Sequence, residues 1–195
     1  MSAVIENPLL TVEDYLKQEL SSQVKHEFID GQLYAMAGVS INHERLSLNV
    51  LRKFGNYLEN SPCEPLGSDM KLRINSNFFY PDVMVDCKFD NAEPYFTSTP
   101  VIIVEVLSKS TRKTDETLKM MSYINIPSLK EYVMIEQDIV DITVLRRSEN
   151  WLAKHYFLGD EITFESIGLT LPVEDIYHRV QNEDMVEFLN ARTEQ

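Results

Sequence analysis

Apolar positions follow two rhythms along this chain, one helical and one alternating, and the order in which they occur predicts the elements. "TVEDYLKQEL" predicts a short helix with Thr11 as N-cap and Asp14 at the capping-box position. "HEFIDGQLYAM" alternates on both sides of Asp30-Gly31, a strong hairpin signal. "INHERLSLNVLRKFGNYLEN" sets Leu46, Val50, Phe54 and Tyr57 at helical spacing, an amphipathic helix laid on something flat. "PLGSDMKLRI" and "FFYPDVMVDC" predict strands about a polar "NSN" turn, and the almost wholly apolar "PVIIVEVLS" follows an acidic, proline-containing loop. "TDETLKMMSYIN" predicts a helix capped by Thr114, with Asp115 and Glu116 suiting its positive end. "LKEYVMIEQ", "DIVDITVLRR" and "WLAKHYFL" predict further strands, and "PVEDIYHRV" and "DMVEFLNAR" short C-terminal helices. A helix between an apolar strand and the next strand is the mark of parallel pairing. The expected class is α/β (α+β), with a mixed central sheet flanked by helices, as one domain over residues 1–195 with its core at about 10–180.

Composition narrows the function. A chain of 195 residues can bury a sizeable core without disulfides or structural zinc. Cys63 and Cys87 form no CxxC pair or Cys/His cluster, which sets aside common zinc motifs and suggests a reducing compartment. The opening residues lack the basic and apolar regions of a signal peptide, and no apolar run reaches the roughly 20 residues that span a bilayer. A cytoplasmic protein without membrane contact is the expectation. The net charge of −13 argues against general affinity for nucleic acid, which depends on Lys and Arg neutralising phosphates.

Against that background Glu105, inside "VIIVEVLS", stands out. A buried ionised carboxylate must protonate, pair or bind a metal. Asp82 of "YPDVMVD" is the first candidate partner, following a proline that cannot donate a ladder hydrogen bond. Alternation places Asp82, Met84 and Asp86 on one strand face. Asp82 and Asp86 would still lie about 13 Å apart, too far to share an ion. On neighbouring strands, Asp82 and Glu105 would offer hard oxygen ligands to Mg²⁺ or Mn²⁺. Lys119, on the following helix at i+4 from Asp115 and i−4 from Tyr123, can be aimed at the end of that strand. Arg112 and Lys113 form a local basic stretch able to receive phosphate oxygens.

Plainer roles compete for each residue. Glu105 could be a structural acid paired with Lys or Arg, and an Asp115–Lys119 pair is ordinary on an exposed helix face. Asp86 reads as a surface acid or a partner for Lys88. His43 reads as a capping or structural residue at its helix start, or as a catalytic auxiliary. Asp69 and Lys71 share a strand face and could form a cross-strand pair. Tyr123 reads as packing with its hydroxyl at a cleft rim.

"FYPDVMVDC", "VIIVEVLSKST" and the "DETLKMMSY" helix resemble the Uma-two family, restriction-endonuclease-like proteins of the PD-(D/E)XK nuclease superfamily. The resemblance runs from "KHEFIDGQLYAMAG" through "IPSLKEYVMIEQ" to "GLTLPVEDIY", most of the chain. It implies a restriction-endonuclease-like fold, with Pro81-Asp82 as the PD element and Glu105 as the acid of the second element. Two residues after Glu105, where that motif has lysine, stands Leu107. In related proteins a neighbouring helix supplies the lysine, and Lys119 fits that relocation. The resemblance also implies Glu27 of "KHEFIDG" as an early acidic position in the metal site, against the plainer reading of a solvated charge at a strand edge.

The expectation is a Mg²⁺- or Mn²⁺-dependent phosphodiesterase acting on nucleic acid, DNA before RNA. Asp82, Glu105 and Glu27 would hold the metal, Asp82, Glu105 and Lys119 would be catalytic, and Arg112, Lys113 and Tyr123 would orient substrate. By analogy of fold, a homodimer is expected. Two rivals remain: a catalytically silent binding or interaction module on the same fold, and a phosphodiesterase for a small nucleotide.

Overall fold

The computed structural model describes residues 10–108 and 115–193. Thirteen strands form a five-stranded sheet in the order β2-β1-β5-β4-β7, a six-stranded sheet in the order β11-β10-β9-β8-β6-β3, and a β12-β13 hairpin. The strands of the first sheet are β1 (His26–Ile29), β2 (Gln32–Ala35), β4 (Lys71–Ile74), β5 (Asn77–Phe79) and β7 (Phe96–Thr97). Those of the second are β3 (Glu64–Gly67), β6 (Val83–Asp86), β8 (Pro100–Leu107), β9 (Glu131–Glu136), β10 (Ile142–Arg146) and β11 (Ala153–Tyr156). The hairpin comprises β12 (Glu161–Phe164) and β13 (Leu169–Pro172). Helices α1 (Val12–Glu19), α2 (Ile41–Leu58), α3 (Met120–Tyr123), α4 (Val173–Ile176) and α5 (Glu183–Thr193) complete the framework, with a π-helical turn over Asp115–Lys119 leading into α3.

Two local signals act as read. Thr11 caps α1 by accepting from the Asp14 N–H at 3.1 Å. Asp30 and Gly31 take positive φ angles of 50° and 80°, the backbone that a two-residue turn between β1 and β2 requires. Helix α2 packs Leu46, Val50 and Phe54 into the core on one face of β6 and β8, beside Val83, Val85, Ile102, Val104 and Val106. Its last apolar position is Leu58 rather than Tyr57, which is exposed and donates its hydroxyl to the Gly168 carbonyl at 2.9 Å. The opposite face of the six-stranded sheet buries Met84, Ile103, Leu107, Tyr123, Tyr132 and Met134. Covered on both faces, β8 reads as one apolar run, and it pairs in parallel with β9 as the intervening helix implies.

The single central sheet expected from the sequence divides in two. Each expected strand of the middle region breaks into a pair, because β3 joins β6 in one sheet while β4 joins β5 in the other. The chain crosses between sheets at residues 68–70 and again at 80–82, where Pro81 can add no ladder hydrogen bond. Asp86 is wholly buried and not a surface acid. At the β6 bulge it accepts from the Lys88 backbone N–H at 2.6 Å and from the hydroxyls of Thr97 and Thr99. Asp69 pairs with Lys25 at 2.8 Å, while Lys71 is buried beside the Tyr80 ring, where burial lowers its pKa.

Cys63 and Cys87 form a disulfide, which corrects the reading of two reduced thiols. The β3–β6 register, Glu64 opposite Asp86, sets the two cysteines directly across from each other. The bond closes a loop with a sequence separation of 24, worth about 3 kcal/mol on the chain-entropy account. Cys63→Ser should therefore lower the denaturation midpoint of the oxidised protein to that of the wild type in reductant. Equal midpoints for oxidised and reduced wild type would contradict this.

Four buried tyrosines predict alkaline instability. Burial raises the pKa of Tyr15, Tyr80, Tyr123 and Tyr177 above the ordinary phenol value. The folded chain keeps phenolic protons that the unfolded chain releases near pH 10, so stability is full below that pH and falls above it. Tyr123 and Tyr177 alone should cost roughly 3 kcal/mol together by about pH 11. Urea midpoints at pH 8 and pH 11 check this, and equal values would refute it.

Candidate active site

Glu105 lies on the face of β8 shared with Ile103 and Leu107, and is 3 % exposed. Its Oε1 accepts from the Tyr123 hydroxyl at 2.9 Å and sits 3.3 Å from the Lys119 ammonium. Lys119, the last residue of the π-helical turn, and Tyr123, the end of α3, are four residues apart, so both side chains reach the same carboxylate. Lys119 also lies 3.0 Å from Glu27 Oε1, which makes its ammonium a buried bridge between two acids on different sheets. Glu27 itself is buried, and its Oε1 accepts from the Tyr80 backbone N–H at 3.2 Å.

Asp82 stands just before β6. The β6–β8 register pairs Val83 with Val104, so one step further along Asp82 lies opposite Glu105. Its Oδ2 accepts from the Val106 N–H at 2.7 Å, which fixes the carboxylate against the neighbour of Glu105. His43, one turn into α2 and 7 % exposed, places Nε2 3.3 Å from the same oxygen. Ser40 is the N-cap of α2, accepting from the His43 N–H at 3.1 Å, so capping is not the task of the imidazole. Both contacts of Asp82 fall on Oδ2, which leaves Oδ1 to a ligand among the described residues.

The geometry thus brings Asp82, Glu105, Lys119 and Glu27 to one region where the sheets meet. Tyr123 does not lie at a rim. It is fully buried, packs edge-on against Phe79 and Tyr132, and gives its hydroxyl to Glu105. Arg112 and Lys113 lie outside the described residues, as does the Thr114 cap, and Asp115's side chain is likewise outside the description. His43, read from sequence as a capping or structural residue or a catalytic auxiliary at its helix start, stands against Asp82.

Among the described residues no group of three His, Cys, Asp or Glu side chains could hold a metal ion. Glu27 therefore does not complete a three-ligand set with Asp82 and Glu105, and its partner is Lys119. A Mg²⁺-type ion does not need such a set. It is commonly held by one or two carboxylates, with water and substrate phosphate filling the remaining positions. Two hard carboxylates set opposite each other by the β6–β8 register, one with an oxygen that no described residue contacts, fit that chemistry.

A carboxylate pair and a buried lysine thus meet at the junction of the two sheets, and comparison with known proteins places the fold and the family. The solved structure of "a putative nuclease belonging to DUF820" from Anabaena variabilis superposes with a TM-score of 0.74 over 88% of this chain and 99% of that one, at 14% identity. The fold is restriction-endonuclease-like. The family model described as "Uma2: Putative restriction endonuclease" matches residues 12–174, and the chain belongs to that family. Two proteins of Synechocystis sp. are similar over most of the chain. "Uncharacterized protein slr1290" is 37% identical over 87% of this chain and 92% of its own length, and "Uncharacterized protein sll1609" is 37% identical over 70% and 80%. No helix among the described residues is long and apolar enough to cross a membrane.

Proposed function

We propose that this protein is a divalent-metal-dependent nuclease that hydrolyses phosphodiester bonds of nucleic acid, with DNA the first substrate to try. The observation that carries the reading is the placement of Asp82 opposite Glu105 with the Lys119 ammonium on the Glu105 carboxylate. Asp82 and Glu105 are the residues to hold Mg²⁺ or Mn²⁺. Such an ion polarises a phosphoryl oxygen and lowers the pKa of a bound water. Lys119 stabilises charge that develops on phosphorus oxygens, a task suited to a fixed cation in a water-poor site. Glu27 and Tyr123 are positioning residues: the first holds Lys119 from the far side, the second fixes the rotamer of Glu105. His43 orients Asp82.

The net charge of −13 fits this reading only if substrate is recognised locally, by a short stretch rather than by a broad basic face. The test is cleavage of supercoiled, linear duplex and single-stranded DNA and of RNA in Mg²⁺ or Mn²⁺, with chelator and an Asp82→Asn variant as controls. Cleavage by the wild type, absent in both controls, supports the proposal. Binding without cleavage across all substrates and ions would overturn it in favour of a silent binding module. The reading also expects a homodimer, which sedimentation measures directly.

A further inference from the structure

The wall of the site that faces solvent is a cavity of about 420 Å³ with Asp82 and His43 among its lining. It lies near the lower end of the range for ligand pockets, about 300–1,000 Å³, and has room for one nucleoside. One side is apolar: Val24, Met36, Ala37 and Val39, on the segments that enter β1 and leave β2. These segments are tied by the Met36 N–H donating to the Lys25 carbonyl at 2.8 Å, so the wall is built rather than loose. Polar lining comes from Glu44 and Ser47 of α2 and Ser68 of the turn before β4.

The charge of this lining decides what it can take. Among the described residues its one lysine or arginine, Lys25, is engaged by Asp69 at 2.8 Å and by the Ser68 carbonyl at 3.1 Å. Glu44 and Asp82 are acids. Away from the phosphate at Asp82, a second phosphate would meet Glu44 and an engaged lysine, so the rest of the cavity does not take one. The lining suits a flat, uncharged group with apolar faces and N–H donors at its edge: faces against the valines and Met36, donors toward Glu44 and the serines.

We infer that this cavity receives one unpaired nucleobase bearing an exocyclic amino group, next to the phosphate presented at Asp82. The inference rests on the nuclease reading for that phosphate, but base binding itself requires no catalysis. In a duplex the edge that Glu44 would read is already paired, and the base cannot enter without leaving the stack. The substrate class is therefore single-stranded, frayed or flipped nucleic acid, recognised through one base. Recognition through a neutral group also answers how a strongly acidic chain holds a polyanion.

The structure supplies a clean way to fill the cavity. A Cβ added at Gly38, which lines it, meets no atom within 4 Å, so the backbone there has open space for a side chain and Gly38→Leu is the variant that adds bulk to the lining. Glu44 is exposed, and Glu44→Gln keeps its size while removing its charge. The experiment is fluorescence titration with a short single strand carrying one 2-aminopurine, in chelator so that no cleavage intervenes. Parallel titrations use an abasic strand, the same base within a duplex, and strands with adenine or thymine at the site.

The wild type should bind the base-containing strand at least about tenfold more tightly than the abasic strand or the duplex. Gly38→Leu should erase that preference with its melting temperature unchanged, and Glu44→Gln should bring thymine up to adenine. Equal wild-type affinity for abasic and base-containing strands would overturn the inference. So would a full preference in Gly38→Leu, or an unaltered base ranking in Glu44→Gln. A protein that cleaves nothing yet shows the base preference would refute the nuclease reading alone. One that cleaves without base preference would refute the cavity's role alone.

Discussion

Glu105→Gln should give a folded protein that no longer cleaves nucleic acid. The amide has the shape of the carboxylate and can still accept from the Tyr123 hydroxyl, which now reaches Glu105 at 2.9 Å. Lys119 keeps its contact with Glu27 at 3.0 Å, so the ammonium is not left alone when one negative charge goes. What the variant loses is an anionic oxygen ligand. Fixed electrostatic groups at such centres are individually worth about 10²- to 10³-fold in rate, and a metal ligand should be worth at least about 10³-fold. Gel cleavage beside a thermal melt separates the two quantities. Retained cleavage would remove Glu105 from the chemistry, and a collapsed melt would make its charge structural.

Lys119→Met should cost stability as well as activity, and by more than any other single change in the site. The ammonium lies between the carboxylates of Glu27 and Glu105, and the three side chains are between 4% and 10% exposed. Methionine fills similar space, so the loss is one of charge and not of packing. Breaking a buried ion pair by removing one partner typically costs about 3–5 kcal/mol, because the remaining charge stays buried without compensation. The double variant Lys119→Met/Glu105→Gln should recover part of that cost, since residues in one network do not act additively. Urea denaturation of the four proteins closes this cycle. A single-variant cost below about 0.5 kcal/mol, the range of ordinary surface changes, would show that the site is open to water and the lysine is not a bridge.

The local chemistry of this fold was legible in the sequence, and its long-range pairing was not. The Thr11 cap, the Asp30-Gly31 turn and the buried face of α2 depend on a few neighbouring residues; the first two formed as expected, and the third did so except at its end, where Leu58 is buried and Tyr57 is exposed. Whether β3 and β4 share a sheet depends on partners elsewhere in the chain, and alternation in "PLGSDMKLRI" is the same in either case. The β12–β13 hairpin was missed for a related reason. Its strands are short, Glu161–Phe164 and Leu169–Pro172, and the latter overlaps a stretch expected to start a helix. Cys63 and Cys87 carry no motif, and only the β3–β6 register sets them face to face.

The site shows the same division. Asp82 and Glu105 could be proposed as a pair because a carboxylate in an apolar strand demands compensation, and β6 and β8 prove to be neighbours. That Lys119 would also reach Glu27 could not be read from spacing, since β1 and α3 approach each other only through the folded sheets. The spacing of Lys119 and Tyr123 did place them on one helix face, but not Tyr123's burial, which turns its hydroxyl from substrate toward Glu105. His43 is the clearest case. At the start of its helix it read as a capping or structural residue or a catalytic auxiliary, and only the approach of α2 to the start of β6 sets it against Asp82.

The most direct test of the account is calorimetric titration of Mn²⁺ into the wild type and into Glu105→Gln, at one pH and ionic strength. The account predicts about one ion bound per chain by the wild type and none at the same concentrations by the variant, because two carboxylates with water complete the coordination. Equal binding by both proteins, or no binding by either, would contradict it and return Asp82 and Glu105 to a structural role.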